Sequence, residues 1–164
     1  NNRRARLTEY AAEKSTATYH EGSVWTYAGN YDIALPCATQ NEINGEAAKR
    51  LVAQGVKVVS EGANMPSDLD AIKVYKENGI LYGPAKAANA GGVAVSALEM
   101  SQNSLRLSWT REEVDGRLKD IMTNIFNTAK TTAETYGLGK DYLAGANIAA
   151  FENVANAMIA QGLV

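Results

Sequence analysis

The chain has 164 residues, of which 46% are hydrophobic and 21% are charged, and its formal net charge is -2 at pH 7. This composition is typical of a globular protein with one sizeable core. Because the charges are nearly balanced, the chain offers no basic field for nucleic acid or an anionic membrane. We therefore expect small ligands or protein partners, with no nucleic acid and no membrane among them.

The chain contains a single cysteine, Cys37, and a single histidine, His20. One cysteine excludes an internal disulfide, and no metal-ligand spacing exists, so we predict no metal site. We expect Cys37 to be a small buried residue and His20 to be a structural or surface residue. The absence of a long apolar run or a signal segment favours a cytoplasmic location.

The first predicted element is a helix over residues 3–14, a stretch rich in helix-forming residues. The chain opens on Asn1 and enters this stretch directly. We therefore expect it to be part of a longer protein.

Three short apolar runs, at 31–35, 56–59 and 80–82, predict buried strands. Residues 45–54 predict a helix that ends at Gly55, and a second helix is predicted to open at the capping-box sequence Ser67 to Asp70. This alternation is typical of an α/β fold, in which a parallel sheet carries helices on its faces. Three strands make a narrow sheet, so we expect further strands on the N-terminal side.

Three long helices are predicted after residue 84. The second opens at a capping box, Thr110 to Glu113, and continues with apolar residues at spacings of three and four. The last is predicted to begin near Ala146 and to end at Gly162.

Each predicted strand is followed by small residues and uncharged hydrogen-bonding side chains, in the segments 36–42, 61–66 and 84–93. Parallel sheets bind ligands at the carboxyl ends of their strands. The hydroxyl of Thr39 and the amides of Gln40, Asn64 and Asn89 suit ribose hydroxyls or a carboxamide. The alternative is that these residues only form turns.

A helix predicted to begin at Gly91 and Gly92 would present free backbone N–H groups to an anion such as a carboxylate. Ser96 lies one turn further on the same face as Gly92 and Val93. Its hydroxyl is a candidate for the same carboxylate, and the alternative is a hydrogen bond to the preceding turn of its own helix.

Taken together, the segments 35–42, 61–66 and 86–93 resemble the corresponding segments of the hexameric glutamate dehydrogenases, in the glutamate/leucine/phenylalanine/valine dehydrogenase family. The resemblance continues through residues 96–103, Trp109 and residues 145–149. It implies the C-terminal part of a Rossmann-like doubly wound parallel sheet, followed by C-terminal helices. Residues 1–90 would be the C-terminal portion of the dinucleotide-binding domain, and residues 91–164 would be helices closing the active-site cleft.

The resemblance also implies an activity: reversible oxidative deamination of L-glutamate to 2-oxoglutarate and ammonia, with NAD or NADP as the hydride acceptor. The intact enzyme would be a homohexamer. No catalytic residue is expected in this chain, because the family's N-terminal substrate domain, with its catalytic lysine and aspartate, is absent from it. We therefore expect the chain to be inactive alone.

By the same resemblance, eight residues have expected binding roles. The residues expected along the cofactor are Ala38, Thr39 and Gln40, beside the ribose and pyrophosphate, and Asn64 and Asn89, near the nicotinamide ribose. The residues expected in the glutamate pocket are Gly92, Val93 and Ser96, with the Ser96 hydroxyl on the side-chain carboxylate.

Two other hypotheses stay open. One is a sister dehydrogenase for an apolar amino acid, in which a carboxylate-binding serine would serve no purpose. The other is a non-catalytic nucleotide-binding module.

Overall fold

A computed structural model describes residues 6–162 of the chain. Its helices are α1 (Leu7–Glu13), α2 (Gly45–Ala53), α3 (Leu69–Glu77), α4 (Ala85–Ala88), α5 (Ala90–Leu105), α6 (Arg111–Thr135) and α7 (Tyr142–Gln161). Its strands are β1 (Ile33–Ala34), β2 (Val58–Ser60) and β3 (Leu81–Gly83), and a short 3-10 turn spans Val24–Thr26. The predicted N-terminal helix is present from Leu7, and its first predicted residues, 3–5, lie outside the described residues.

The three strands form one parallel sheet in the order β1-β2-β3. Ile33 pairs with Val58, and Val58 pairs with Leu81. The predicted α/β class is therefore confirmed. In a parallel sheet the carboxyl ends of all strands lie along one edge, so the three segments that follow the strands are neighbours.

One face of the sheet forms the core with α2 and α3. Ala34, Val59 and Tyr82 alternate with more exposed neighbours along their strands, and all three are buried in one apolar cluster. The helices contribute Ala48, Leu51, Ala71, Val74 and Tyr75 to the same cluster. This packing fixes the position at which the segment after each strand leaves the sheet.

The opposite face of the sheet looks toward α4 and α6 across an apolar cavity of about 360 Å³. Val58 and Leu81 line it from the sheet, and Met122 and Phe126 line it from α6. Ile125 and Ala129, two of the apolar residues predicted at these spacings on α6, line the same cavity.

Helices α6 and α7 pack closely at Gly145, which is buried. A Cβ atom added there would collide with the carbonyl oxygen of Ala129 on α6.

The predicted capping box at Thr110 and Glu113 is confirmed, because each side chain accepts a hydrogen bond from the backbone N–H of the other residue. The predicted end of α7 at Gly162 is confirmed as well.

Two predicted helix starts are wrong. Helix α7 begins at Tyr142 rather than near Ala146, because Asp141 caps it by accepting the N–H of Ala144 at 3.0 Å. Helix α3 is capped by Asp68, which accepts the N–H of Ala71 at 2.7 Å, rather than by Ser67. Ser67 is 5% exposed and turned toward the interior of the fold.

Candidate cofactor and substrate site

The segment that follows β1 is held by the carboxylate of Glu42. Its Oε1 accepts hydrogen bonds from the backbone N–H groups of Ala38 at 2.9 Å and Thr39 at 3.2 Å. Its Oε2 accepts one from Trp25 Nε1 at 2.8 Å. The side chains of Thr39 and Gln40 are exposed beside this fixed backbone. The loop is therefore ordered by protein contacts while those two side chains face solvent.

The same segment lies directly against the one that follows β2. The Pro36 carbonyl accepts hydrogen bonds from the N–H groups of Gly62 at 2.9 Å and Ala63 at 3.1 Å. A Cβ atom at Gly62 would stand 2.5 Å from Cys37 Sγ, so a larger residue at this position would require the Cys37 side chain to move. Cys37 itself is exposed, and the prediction of a buried thiol is wrong because β1 ends at Ala34 and leaves Cys37 beyond the sheet.

Asn64 and Asn89, in the segments after β2 and β3, are hydrogen-bonded to each other. Asn89 Nδ2 donates to Asn64 Oδ1 at 2.7 Å and to the Ala63 carbonyl at 3.3 Å. The bond uses one donor group of Asn89 and one acceptor of Asn64. It leaves the Asn64 amide N–H groups and the Asn89 amide oxygen for other partners.

The remaining groups fit the chemistry expected of a nicotinamide ribose. A ribose hydroxyl both donates and accepts, and a carboxamide offers one acceptor and two donor hydrogens, so an uncharged donor beside an uncharged acceptor complements either. Both asparagines line a cavity of about 1010 Å³ at this edge of the sheet. The donor set therefore fits the nicotinamide end of a dinucleotide.

Beneath the two asparagines lies the carboxylate of Glu61, which is 2% exposed. Its Oε1 accepts the backbone N–H of Ser67 at 3.1 Å, and its Oε2 accepts that of Ala85 at 2.8 Å. The two N–H groups belong to different segments, one after β2 and one after β3. A single buried carboxylate thus joins two of the three candidate loops.

Two tyrosines border Glu61, and their rings lie 5.5 Å apart between centroids. Burial raises the pKa of Tyr75 to about 12, and its hydroxyl lies 3.3 Å from Ser67 Oγ. Burial also raises the pKa of Tyr82 well above its ordinary value, and the neighbouring Glu61 carboxylate raises it further. Both phenols therefore stay protonated at neutral pH.

The predicted substrate residues lie in the first turns of α5. The helix begins at Ala90, one residue earlier than predicted, because Asn89 is its N-terminal flanking residue. The Gly92 N–H donates to the Asn89 carbonyl at 3.2 Å, so the prediction of a free N–H at Gly92 is wrong. Ser96 Oγ donates to the Gly92 carbonyl at 3.2 Å, which is the alternative that the sequence left open.

This part of α5 is nevertheless accessible. Val93 is 71% exposed, Ser96 is exposed, and apart from the neighbouring residues and backbone of α5 no atom lies within 4 Å of the position a Cβ would take at Gly92. Since Asn89 directly precedes α5, the predicted substrate face follows the Asn64–Asn89 pair along the chain. Binding of substrate by Gly92, Val93 and Ser96 stays a prediction.

Sequence reasoning missed Glu42 and Glu61. Both stand in the segments after strands, where a glutamate is ordinarily a solvated residue, and their partners are distant in sequence. The one signal in the sequence was the position of Glu61 two residues after the apolar run 56–59, where an unpaired carboxylate would be costly.

No group of three or more His, Cys, Asp or Glu side chains within residues 6–162 could hold a metal ion. Within the same range, the helices are all too short or too polar to cross a membrane.

These features define an α/β protein whose candidate ligand site lies at the carboxyl edge of a parallel sheet. The family model described as glutamate/leucine/phenylalanine/valine dehydrogenase matches residues 1–162, and the chain belongs to this family. The resemblance drawn from the loop motifs is therefore confirmed.

Named relatives agree with this assignment. The chain is 53% identical to the NADP-specific glutamate dehydrogenase of Giardia intestinalis, over 100% of the chain and 37% of that protein. It is 54% identical to the glutamate dehydrogenase of Bacteroides thetaiotaomicron, over 98% of the chain and 36% of that protein. The chain thus spans little more than a third of the length of these relatives.

Solved structures share the fold. A Plasmodium falciparum glutamate dehydrogenase matches 98% of the chain and 34% of its own chain with a TM-score of 0.91 at 49% identity. A hetero-hexameric glutamate dehydrogenase from Thermus thermophilus, in a leucine-bound form, matches with a TM-score of 0.78 at 21% identity, over 96% of this chain and 37% of its own. This second likeness concerns the fold alone.

Proposed function

We propose that the intact protein catalyses the reversible oxidative deamination of L-glutamate to 2-oxoglutarate and ammonia, with NAD or NADP as the hydride acceptor. This chain would provide one wall of the active site. The observation that carries the proposal is the hydrogen-bonded Asn64–Asn89 pair at the carboxyl edge of the sheet, in a chain 53% identical to an NADP-specific glutamate dehydrogenase.

Five residues are proposed to bind the cofactor. Asn64 and Asn89 would hold its nicotinamide ribose end through the amide groups that their mutual bond leaves free. Ala38, Thr39 and Gln40 would border the ribose and pyrophosphate. Their support is the backbone order that Glu42 imposes on Ala38 and Thr39, together with the exposure of the Thr39 and Gln40 side chains.

The accessible face of α5 is proposed to bind the substrate. Gly92 and Val93 would line the glutamate pocket, and Ser96 would turn its hydroxyl from the Gly92 carbonyl to the substrate's side-chain carboxylate. The bound nicotinamide would supply the redox chemistry by accepting a hydride from the substrate's α-carbon. The catalytic lysine and aspartate would lie outside this chain, so the chain alone would be inactive.

We also propose how the chain and the intact protein are organised. Residues 1–90 would complete a Rossmann-like domain, and residues 91–164 would close the cleft; the start of α5 at Ala90 supports a boundary there. The intact protein would be a homohexamer in the cytoplasm, and light scattering of the purified protein would measure its assembly.

The decisive experiment is a substrate panel on the intact protein, with NAD and NADP each supplied and reduced nicotinamide measured by absorbance. We expect reduction that depends on glutamate. A preference for leucine, phenylalanine or valine would instead support the sister dehydrogenase. Nucleotide binding without turnover of any amino acid would support the non-catalytic module.

A further inference from the structure

The carboxylate of Glu61 is buried at the root of the two loops that carry Asn64 and Asn89. It is 2% exposed, and each of its oxygens accepts a backbone N–H from a different loop, that of Ser67 at 3.1 Å and that of Ala85 at 2.8 Å. Hydrogen bonds to a charged acceptor are stronger than those between neutral groups. The separation of the two loops is therefore set at their base by one side chain.

Both asparagines stand close along the chain to the groups that Glu61 fixes. Asn64 follows Glu61 within the loop after β2, and Asn89 follows Ala85 at the end of α4. At the rim, Asn89 Nδ2 bonds to Asn64 Oδ1 at 2.7 Å and to the Ala63 carbonyl at 3.3 Å. The two loops are thus linked in two places, by the Glu61 carboxylate in the interior and by the Asn64–Asn89 hydrogen bond at the surface.

A carboxylate is suited to this position in a way that an amide is not. Two backbone N–H donors approach Glu61, one on each oxygen, and a carboxylate has an acceptor for both. A glutamine of nearly the same shape has one oxygen and one NH₂ group, so one N–H would face another donor. A buried donor without an acceptor is costly, and the loop that carries it would move to relieve the conflict.

We propose that Glu61 is a positioning residue for the cofactor, whose carboxylate fixes the separation of the loops bearing Asn64 and Asn89 so that both amides meet the same nicotinamide ribose. This inference rests on the proposed function, because it assigns Glu61 a task in the same site. Glu61 acts through the asparagines rather than by contact with the cofactor.

The test measures the dissociation constant of NADPH or NADH directly, by nucleotide fluorescence, in the intact protein and its variants. Glu61→Gln is expected to weaken binding roughly tenfold, since one acceptor and the negative charge are lost and the loop separation changes. Tyr75→Phe is the matched control. It removes the hydroxyl that contacts Ser67 Oγ in the same cluster and leaves both acceptors of Glu61 in place.

A double-mutant cycle separates positioning from general destabilisation. If Glu61 acts through Asn64, the pair Glu61→Gln and Asn64→Ala weakens binding by clearly less than the product of the two single effects. A purely structural role would make the two effects multiply. Multiplication of the effects would overturn the proposal.

Other results of the same measurements would refute the role of Glu61. Unchanged nucleotide binding in folded Glu61→Gln, or equal weakening in Tyr75→Phe, would refute the role of Glu61 and leave the proposed function intact. A wild-type protein that neither binds nucleotide nor oxidises glutamate would refute both the role of Glu61 and the proposed function. If Glu61→Gln fails to fold, Glu61→Asp keeps the charge with a shorter side chain. The nucleotide titration and the double-mutant cycle are then carried out with that variant.

Discussion

The indole of Trp25 and the carboxylate of Glu42 are joined by a hydrogen bond of 2.8 Å from Nε1 to Oε2. The other oxygen of Glu42 accepts the backbone N–H groups of Ala38 and Thr39. Trp25 therefore fixes the side chain that in turn orders the loop after β1. A residue outside the sheet thus supports one segment of the candidate cofactor site.

Replacing Trp25 by phenylalanine should destabilise the fold by about 1 kcal/mol, because the partly buried Oε2 of Glu42 loses its donor. Chemical unfolding in urea measures the change. Trp109→Phe is the matched control: its ring keeps an aromatic face for Arg117, which lies 4.1 Å from the ring centroid. Equal losses in the two variants would show that ring packing, and not the bond to Glu42, determines the effect.

Gly145 and Gly116 predict opposite effects of the same substitution. Gly145→Ala should destabilise by about 1–3 kcal/mol, because the added methyl group has no space against Ala129 on the neighbouring helix. At Gly116, on α6, nothing apart from the neighbouring residues and backbone of the same helix lies within 4 Å of an added Cβ. Gly116→Ala should therefore stabilise by about 0.5–1 kcal/mol through helix propensity. Thermal unfolding compares the two, and a destabilised Gly116→Ala would contradict the packing described for α6.

The ion pair between Lys76 and Asp141, with Nζ and Oδ2 at 2.8 Å, predicts a dependence of stability on pH. Partial burial alone would raise the pKa of Asp141, but the Lys76 hydrogen bond and the backbone N–H of Ala144 outweigh it and lower the pKa below its ordinary value of 3.8. The folded state thus favours the ionised carboxylate. The stabilising effect of the ionised Asp141 carboxylate is complete at pH values above its pKa in the unfolded chain. This effect disappears as the pH falls through its lower pKa in the folded protein.

Asp141→Asn should therefore lower stability near neutral pH by less than about 1 kcal/mol, since the pair is partly exposed. Asparagine retains the cap on α7, so the variant isolates the charge. The difference from wild type should shrink toward zero as the pH falls through the lowered pKa of Asp141, as measured by urea unfolding across pH. Asp32→Asn is the control, because its partner Lys57 and Asp32 are both largely exposed and no measurable change is expected. A difference independent of pH would rule out the charge as its cause.

The parallel sheet and the capping box of α6 could be predicted because their signals are local. The apolar runs at 31–35, 56–59 and 80–82 each contain part of a strand, and Thr110 and Glu113 stand within one turn of each other. The position of the candidate site followed from the sheet, since segments after parallel strands share one edge.

The interior of the site could not be predicted in the same way. Glu61 bonds to Ala85, 24 residues away, and Glu42 bonds to Trp25, 17 residues away. Sequence spacing does not distinguish a carboxylate that is hydrogen-bonded to a distant part of the chain from one that is exposed to solvent. Ser67 shows the same limit, because its local pattern indicates a helix cap, whereas tertiary packing turns it toward Glu61 and Tyr75.

Ser96 and Ser101 make the same contact in α5, and only one of them is expected to matter for substrate. Ser96 Oγ donates to the Gly92 carbonyl at 3.2 Å, and Ser101 Oγ donates to the Ala97 carbonyl at 2.9 Å. Loss of either bond alone should change helix stability equally little. In the intact protein, Ser96→Ala should raise the KM for glutamate roughly tenfold, because a hydrogen bond to a charged carboxylate is lost.

Steady-state kinetics with each substrate varied in turn measure this effect. Ser101→Ala should keep the KM for glutamate and for the cofactor within about twofold of wild type, and Ser96→Ala should keep the cofactor KM within the same range. The split between the two KM values distinguishes binding of the substrate carboxylate from a general change in α5. If Ser96→Ala and Ser101→Ala raise the KM for glutamate alike, the hydroxyl of Ser96 serves only its own helix.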